Sequence, residues 1–546
     1  MNRLFIFLLP AIVLIGCKKQ EDKRGFPLYP SLSGFHMKLG STNPKAQQYF
    51  DQGMALYFGF NHEAAISSFH EAAILDSSLA MAWWGQAISA GPNINNPAMD
   101  STAAYNAWDA AQRAVHLSKN APVLEQDLCR AIAARYKWPQ PDDRKSLDIA
   151  YADVMRVLWK KYPNNDDIGV LFADAMMNLR PWDLWTAEGI AQPGTPEIVA
   201  TLEKVLSRNP THPGACHFYI HTMEASPVPQ KALQAADRLG GLLPGAGHLV
   251  HMPSHIYIRL GMYDAAVIAN QKAILADTTW IKYGGFYTLY RAHNYHFLTY
   301  AAMFDGRKAL AMEAAREMLV QIPMEMVRAY PDFMDAYLAI PYHVMVRFGL
   351  WEEMLKEPRP ATDLTATTAF WRYARCVSLS ALGRTAEATA EYDSLETAIS
   401  SVQESRLLGN NSVITVLQIG LKIAEGELAY RKGNYDRAFA LLEEAVQKDD
   451  ALKYDEPWGW MMPARHALGA LLLEQGKVTL AESVYRKDLE IHPGNGWALK
   501  GLHDCQVKTG NAVEAAKTQA QFELAWKRAD IMISTSCYCS RGNQVD

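Results

Sequence analysis

Hydrophobic and polar positions along this chain fall into helical blocks that recur at a regular interval. Gly261-Met262-Tyr263-Asp264-Ala265-Ala266, Gly383-Arg384-Thr385-Ala386-Glu387-Ala388 and Gly433-Asn434-Tyr435-Asp436-Arg437-Ala438 each place a turn glycine five residues before an alanine. The same pair returns as Gly306/Ala311, Gly476/Ala481 and Gly510/Ala515. Gly349 to Gly383, Gly476 to Gly510 and Pro210 to Pro244 are each 34 residues apart. A glycine ends one helix, an alanine lets the next pack closely against it, and a proline stops the second. Asn61 to Ala72 carries the second-helix pattern near the N-terminus. The chain therefore reads as all-α, a solenoid of antiparallel helix pairs, with turns predicted at Gly261, Gly306, Gly349, Gly383, Gly433, Gly476 and Gly510.

That period and composition resemble the tetratricopeptide repeat. Longer stretches narrow the resemblance: Asp455-Glu456-Pro457-Trp458 leading to Pro463-Ala464-Arg465-His466, then Tyr485 to Leu489 and Pro493 to Leu499. With Met81-Ala82-Trp83-Trp84-Gly85 and the block His248 to Tyr257, they make the chain similar, from about residue 36 to about 536, to a bacterial family of long tetratricopeptide lipoproteins. The resemblance implies the fold and carries no established activity.

One apolar run is not helical-repeat material. Leu4 to Ile15 follows a single early charge, Arg3, and is too short to span a bilayer, which takes roughly 20 apolar residues. It fits the core of a secretory signal. Leu14-Ile15-Gly16-Cys17 looks like a lipobox, and Lys18 to Arg24 has the charge of a solvated tether. The expected mature protein is anchored in the bacterial cell envelope through lipid on Cys17 without spanning the membrane. Lys18 after the cysteine favours the outer membrane, by resemblance to a known sorting rule. The organisation expected is a signal peptide over 1–16, a lipidated tether and leading segment over 17–44, degenerate repeats over 45–212, histidine-rich repeats over 213–368, clean repeats over 369–529, and a tail over 530–546. The tail, with Cys537 and Cys539, reads as a disordered end rather than a soft metal site or redox pair.

Composition removes several functions. Of 546 residues, 49% are hydrophobic and 20% charged, which is globular rather than disordered. Lys and Arg number 53 against 58 Asp and Glu, so no basic excess exists to neutralise a phosphate backbone, and nucleic acid is not an expected partner. Seven cysteines are too few for a disulfide scaffold. No GxxxxGK[ST] or GxGxxG loop offers a nucleotide cofactor a cradle, and no GxSxG elbow appears. His62-Glu63 and His70-Glu71 begin like a zinc-protease motif but have isoleucine where the second ligand belongs, so both read as helix surface. Trp83, Trp84, Trp182 and Trp185 read as core packing before groove lining.

The histidines stand apart. Eight of the sixteen fall between residues 212 and 296. His217/His221 and His251/His255 are each four apart, and the two pairs are 34 residues apart. His255, His251 and His248 stand six, ten and thirteen residues before Gly261; His296 and His293 stand ten and thirteen before Gly306, with Tyr300 at six, and His343 is six before Gly349. These offsets belong to the first helix of each repeat, on the stripe expected to face a concave groove. Positions i, i+4 and i+7 share a helix face, which groups His217, His221 and Glu224.

Adjacent helices lie about 8–10 Å apart, so imidazoles from neighbouring repeats can converge on one point. Imidazoles with a carboxylate suit zinc, iron, copper or nickel, and spacing does not choose among them. Pro253, inside the His248 to His255 stripe, weakens the shared-face argument if the helix starts there. Trp280 to Tyr290 lengthens one repeat and suits a loop over a groove or a solvated insertion. The reading favoured is an interaction module taking a peptide, protein or small ligand in its groove, with His343 and Tyr300 among the lining and a transition-metal site drawn from His217, His221, Glu224, His248, His251, His255, His293 and His296; the alternative is a metal-dependent enzyme, hydrolytic or oxidative, with Glu224 as ligand or general base.

Overall fold

A glycine with a left-handed backbone ends the first helix of each repeat from Gly261 onward. The expected turn glycines, Gly261, Gly306, Gly349, Gly383, Gly433, Gly476 and Gly510, have φ between +65° and +79°. Gly383 shows why the residue is glycine: a Cβ there would meet nothing, so the backbone angle alone excludes other side chains. The Arg384 N–H then reaches back to the Leu379 carbonyl at 2.9 Å and satisfies an orphan acceptor of the helix end. Gly261 has a second reason, since a Cβ would sit 2.2 Å from the Pro493 carbonyl oxygen. The partner alanines Ala266, Ala311, Ala388, Ala438 and Ala481 are fully buried where the second helix packs.

The computed structural model describes residues 25–281 and 285–540. Antiparallel helix pairs follow one another throughout, from Pro44–Phe58 with His62–Leu75 to Gly496–Lys508 with Ala512–Ala525. Among the described residues the only paired strands are Leu407–Leu408 and Asn411–Ser412, a short antiparallel hairpin before helix Val413–Arg431. No described helix is long and apolar enough to cross a membrane. The lipobox and Cys17 lie outside the described residues.

The solenoid curls until distant repeats touch. The Trp497 indole N–H donates to the Met303 carbonyl at 2.9 Å, across 194 residues. Arg528 pairs with Asp305, and the Asp530 carboxylate caps helix Lys308–Gln321 by accepting from the Lys308 and Ala309 N–H groups. Two large hydrophobic cores result, one built between Leu32 and Tyr290 and the other between Ile258 and Cys539, beside a small third cluster of Leu379, Ala388 and Leu428. The two large cores change over within helix Pro253–Arg259, where Ile256 packs on the first and Ile258 on the second.

Three local readings differ from expectation. Residues 530–540 are not a disordered end: Ser536 bonds Tyr485 and the His466 carbonyl, Ser540 bonds Glu474, Arg431 reaches the Cys539 carbonyl, and Cys537 and Cys539 form a disulfide. Buried hydroxyl and carbonyl partners on the last repeats hold this segment down, which composition does not reveal. The Trp280 to Tyr290 insertion is partly interior. Trp280 is 1% exposed with its N–H on the Gly245 carbonyl, and helix Tyr287–Phe304 begins inside it. His70 is exposed as expected, but His62 is partly buried against Tyr57 and Phe60, and burial pushes its pKa down to about 3.

Candidate metal centre

The histidines gather where the two cores meet. Helix Pro213–Met223 carries His217 and His221, one turn apart, and Glu224 caps its end. Gly247–His251 carries His248 and His251, Pro253–Arg259 carries His255, and Tyr287–Phe304 carries His293. Pro253 does interrupt the stripe, but Met252 keeps helical angles (φ −51°, ψ −34°), so the face continues through the break. The His251 and His255 rings accordingly stand 4.7 Å apart.

Ligand atoms collect in two threes. Those of His217, His221 and His248 all lie within 4.8 Å of one another, and so do those of His251, His255 and His293. A third grouping, His221, Glu224 and His255, satisfies the same distance and joins the two.

Hydrogen-bond partners behind the rings assign their tautomers. His217 Nδ1 faces the Phe58 carbonyl at 2.6 Å, so it must carry the proton. The Asn270 amide donates to the Ala266 carbonyl, which turns its oxygen toward His251 Nδ1 at 2.6 Å; that nitrogen too is the donor. His221 Nδ1 and His255 Nδ1 face the two oxygens of Glu224, at 2.9 and 2.8 Å. As a carboxylate, Glu224 accepts from both. Glu456 also contacts His255 Nδ1. Four imidazoles are thereby held with Nε2 lone pairs directed inward, the arrangement in which a second group orients a metal-binding histidine.

Those inward nitrogens lack donors. His217 Nε2, His221 Nε2 and both ring nitrogens of His248 are buried without a hydrogen-bond partner. His251 Nε2 and His255 Nε2 face each other at 2.7 Å, two acceptors in contact once both Nδ1 atoms hold protons. Burial drives every one of these pKa values down, to about 3 for His221 and about 4 for His293, so the rings are neutral. Neutral imidazole is the form that coordinates a metal. Burial pushes the Glu224 carboxyl well above the carboxylate range, and Arg259 opposes the shift; Arg259 also holds the Glu224 carbonyl at 2.7 Å.

The stripe expected to face an open groove is interior. His217, His221, His248, His251 and His255 are each 3% exposed or less, covered by Phe60 on one side and Phe297 on the other. His343 and Tyr300, expected in the groove, are buried as well: His343 packs among Phe370, Tyr373 and Trp460, and Tyr300 against Phe304. The curl of the solenoid is the reason, because it folds the concave face onto itself. His296 is buried against Tyr337 and belongs to neither three-histidine group. It lines a small cavity with Tyr337, Asp455, Glu456 and Trp458, and Glu456 joins that cavity to His255. Trp84 is fully buried core, as expected, whereas Trp182 stands edge-on to His221.

Sequence reading missed Phe60, Asn270 and Glu456. Phe60 takes the left-handed turn position that glycine fills elsewhere (φ 53°), and its ring stands 4.6 Å from His217 and 5.3 Å from His248. A non-glycine residue in that conformation persists only where its surroundings hold it there. Glu456 sits in a stretch that the family resemblance singles out, without any sign of its role.

Compared with described protein families and with curated proteins, the chain matches none. Among solved structures, human IFIT1, determined as a dimer with m7Gppp-AAAA, is 11% identical over 89% of this chain and 91% of its own, with a TM-score of 0.31. Yeast Tom70 is 12% identical over 88% of this chain and 91% of its own, with a TM-score of 0.28.

Proposed function

We propose that this protein is a tetratricopeptide-type solenoid built around an enclosed transition-metal centre, and that the metal, rather than a peptide in an open groove, is its primary ligand. One observation carries the reading. Phe58, Asn270 and Glu224 face the Nδ1 atoms of His217, His221, His251 and His255, which leaves His217 Nε2 and His221 Nε2 without any protein partner and sets His251 Nε2 against His255 Nε2 at 2.7 Å. Burying unsatisfied polar atoms costs about 1–3 kcal/mol each, and a cation removes that cost. An imidazole donor set suits copper, zinc, iron or nickel. Repeat scaffolds commonly present binding surfaces, and a further partner on the outer face is compatible with this centre.

Protein purified untagged and without chelator is expected to carry near-stoichiometric metal by inductively coupled plasma mass spectrometry. Metal-free protein whose melting is indifferent to zinc, copper, nickel and iron would overturn the reading. On the N-terminal pattern the protein is tethered in the cell envelope by lipid on Cys17, and Cys17→Ser is expected to move it from the membrane fraction to the soluble fraction. Unchanged membrane association would rule out the lipid anchor.

A further inference from the structure

Resting on the metal reading above, we infer that the six histidines hold two divalent transition-metal ions side by side, one in each three-imidazole set, with Glu224 as the shared positioning residue. The two sets have no member in common, and each is complete within 4.8 Å. His217, His221 and His248 pack on the N-terminal core through Phe60; His251, His255 and His293 pack on the C-terminal core through Phe297. The sets adjoin along their length. The His221 and His255 rings are 5.8 Å apart, as are those of His248 and His251, no farther than the 6.2 Å between His221 and His248 inside one set.

A single ion cannot use this array. Tetrahedral coordination takes four ligands at about 2.0–2.1 Å, which leaves two of the six imidazoles outside the shell. Two ions take three nitrogens each, satisfy every ring, and retain open positions that a shared water or hydroxide can fill. Paired ions of this kind lie roughly 3.5–4 Å apart. Glu224 supports the pairing from behind: one oxygen meets His221 Nδ1 in the first set, and the other meets His255 Nδ1 in the second. Glu224 therefore faces one ligand of each ion, with Glu456 also on His255 Nδ1. The competing arrangement places a single ion among His221, His255 and Glu224, with Glu224 itself as ligand.

The full chain, stripped of metal and titrated with copper(II) against a weak competing chelator, distinguishes these. Two coppers per chain are expected, with an electron paramagnetic resonance integral well below the copper content because ions sharing a ligand couple magnetically. His248→Ala and His293→Ala, one from each set, should each retain one copper with its full signal. Glu224→Gln should retain one tight copper and weaken the other about 10–100-fold, since an amide accepts from only one of the two Nδ1–H groups.

One copper per wild-type chain overturns the two-ion inference and leaves the metal reading standing; none overturns both. Two coppers with a full signal overturn their adjacency. Complete loss of tight copper in Glu224→Gln, with circular dichroism unchanged, assigns Glu224 as a ligand and overturns its positioning role.

Discussion

Replacing His221 and His255 together by alanine is expected to abolish near-stoichiometric metal binding while leaving helix content unchanged. The two rings belong to different histidine sets and share Glu224, so their removal takes a ligand from each set and both hydrogen-bond partners from the carboxylate. Helix content should survive because neither histidine caps a helix or fills a turn, and alanine is the best helix former. The decisive readout is the melting shift on adding metal. An ion that binds only the folded state at a hundredfold excess over Kd adds roughly 2.7 kcal/mol, so wild-type protein should melt higher with metal. The double variant should not respond. An equal shift in both proteins would show that the metal binds elsewhere. Should the double variant fail to fold, His248→Ala combined with His293→Ala takes one ring from each set while leaving both hydrogen-bond partners of Glu224 in place.

Trp497→Ala is expected to cost about 3–5 kcal/mol, the range for removing a buried tryptophan. Trp497 is fully buried and lies where the C-terminal repeats close on the central ones. Its N–H reaches Met303, its face takes the Arg347 guanidinium at 3.6 Å, and its ring packs edge-on against Trp526 at 5.1 Å. Arg347 is itself buried, with its pKa pushed down to about 9 by burial, so losing the ring strips a desolvated cation of its best contact. Trp497→Phe keeps an aromatic face and loses the N–H, and should cost nearer the 0.5–1.5 kcal/mol of one hydrogen bond. Urea denaturation of the three proteins checks both values. A loss below about 1 kcal/mol in Trp497→Ala would mean that the closure of the solenoid does not depend on this contact.

Helix pairing was legible because its causes are local. Gly383 needs only its own backbone angle, and Ala388 only the neighbouring helix, so each leaves its mark within one repeat. The histidine register was legible for the same reason: His217/His221 and His251/His255 occupy equivalent turns of equivalent helices, and six members of the register do assemble. His296 and His343 share that register yet lie outside both sets, because position on a helix fixes the face and leaves open what packs against it.

Everything that depends on closure was beyond a linear reading. Small rotations between repeats accumulate until Trp497 meets Met303 and Glu456 meets His255, contacts separated by about two hundred residues. That accumulation converts the expected groove stripe into an interior. Phe60 joins the site only because the first helix pair swings against helix Pro213–Met223. The sequence by itself determined which helices form, where they turn and which faces carry imidazole, since these follow from propensity and period. The tertiary structure alone decided that five of the six imidazoles are shut away from water, that Asn270 and Glu224 set their tautomers, and that they divide into two sets, because each of those depends on where a curved stack of helices comes to rest against itself.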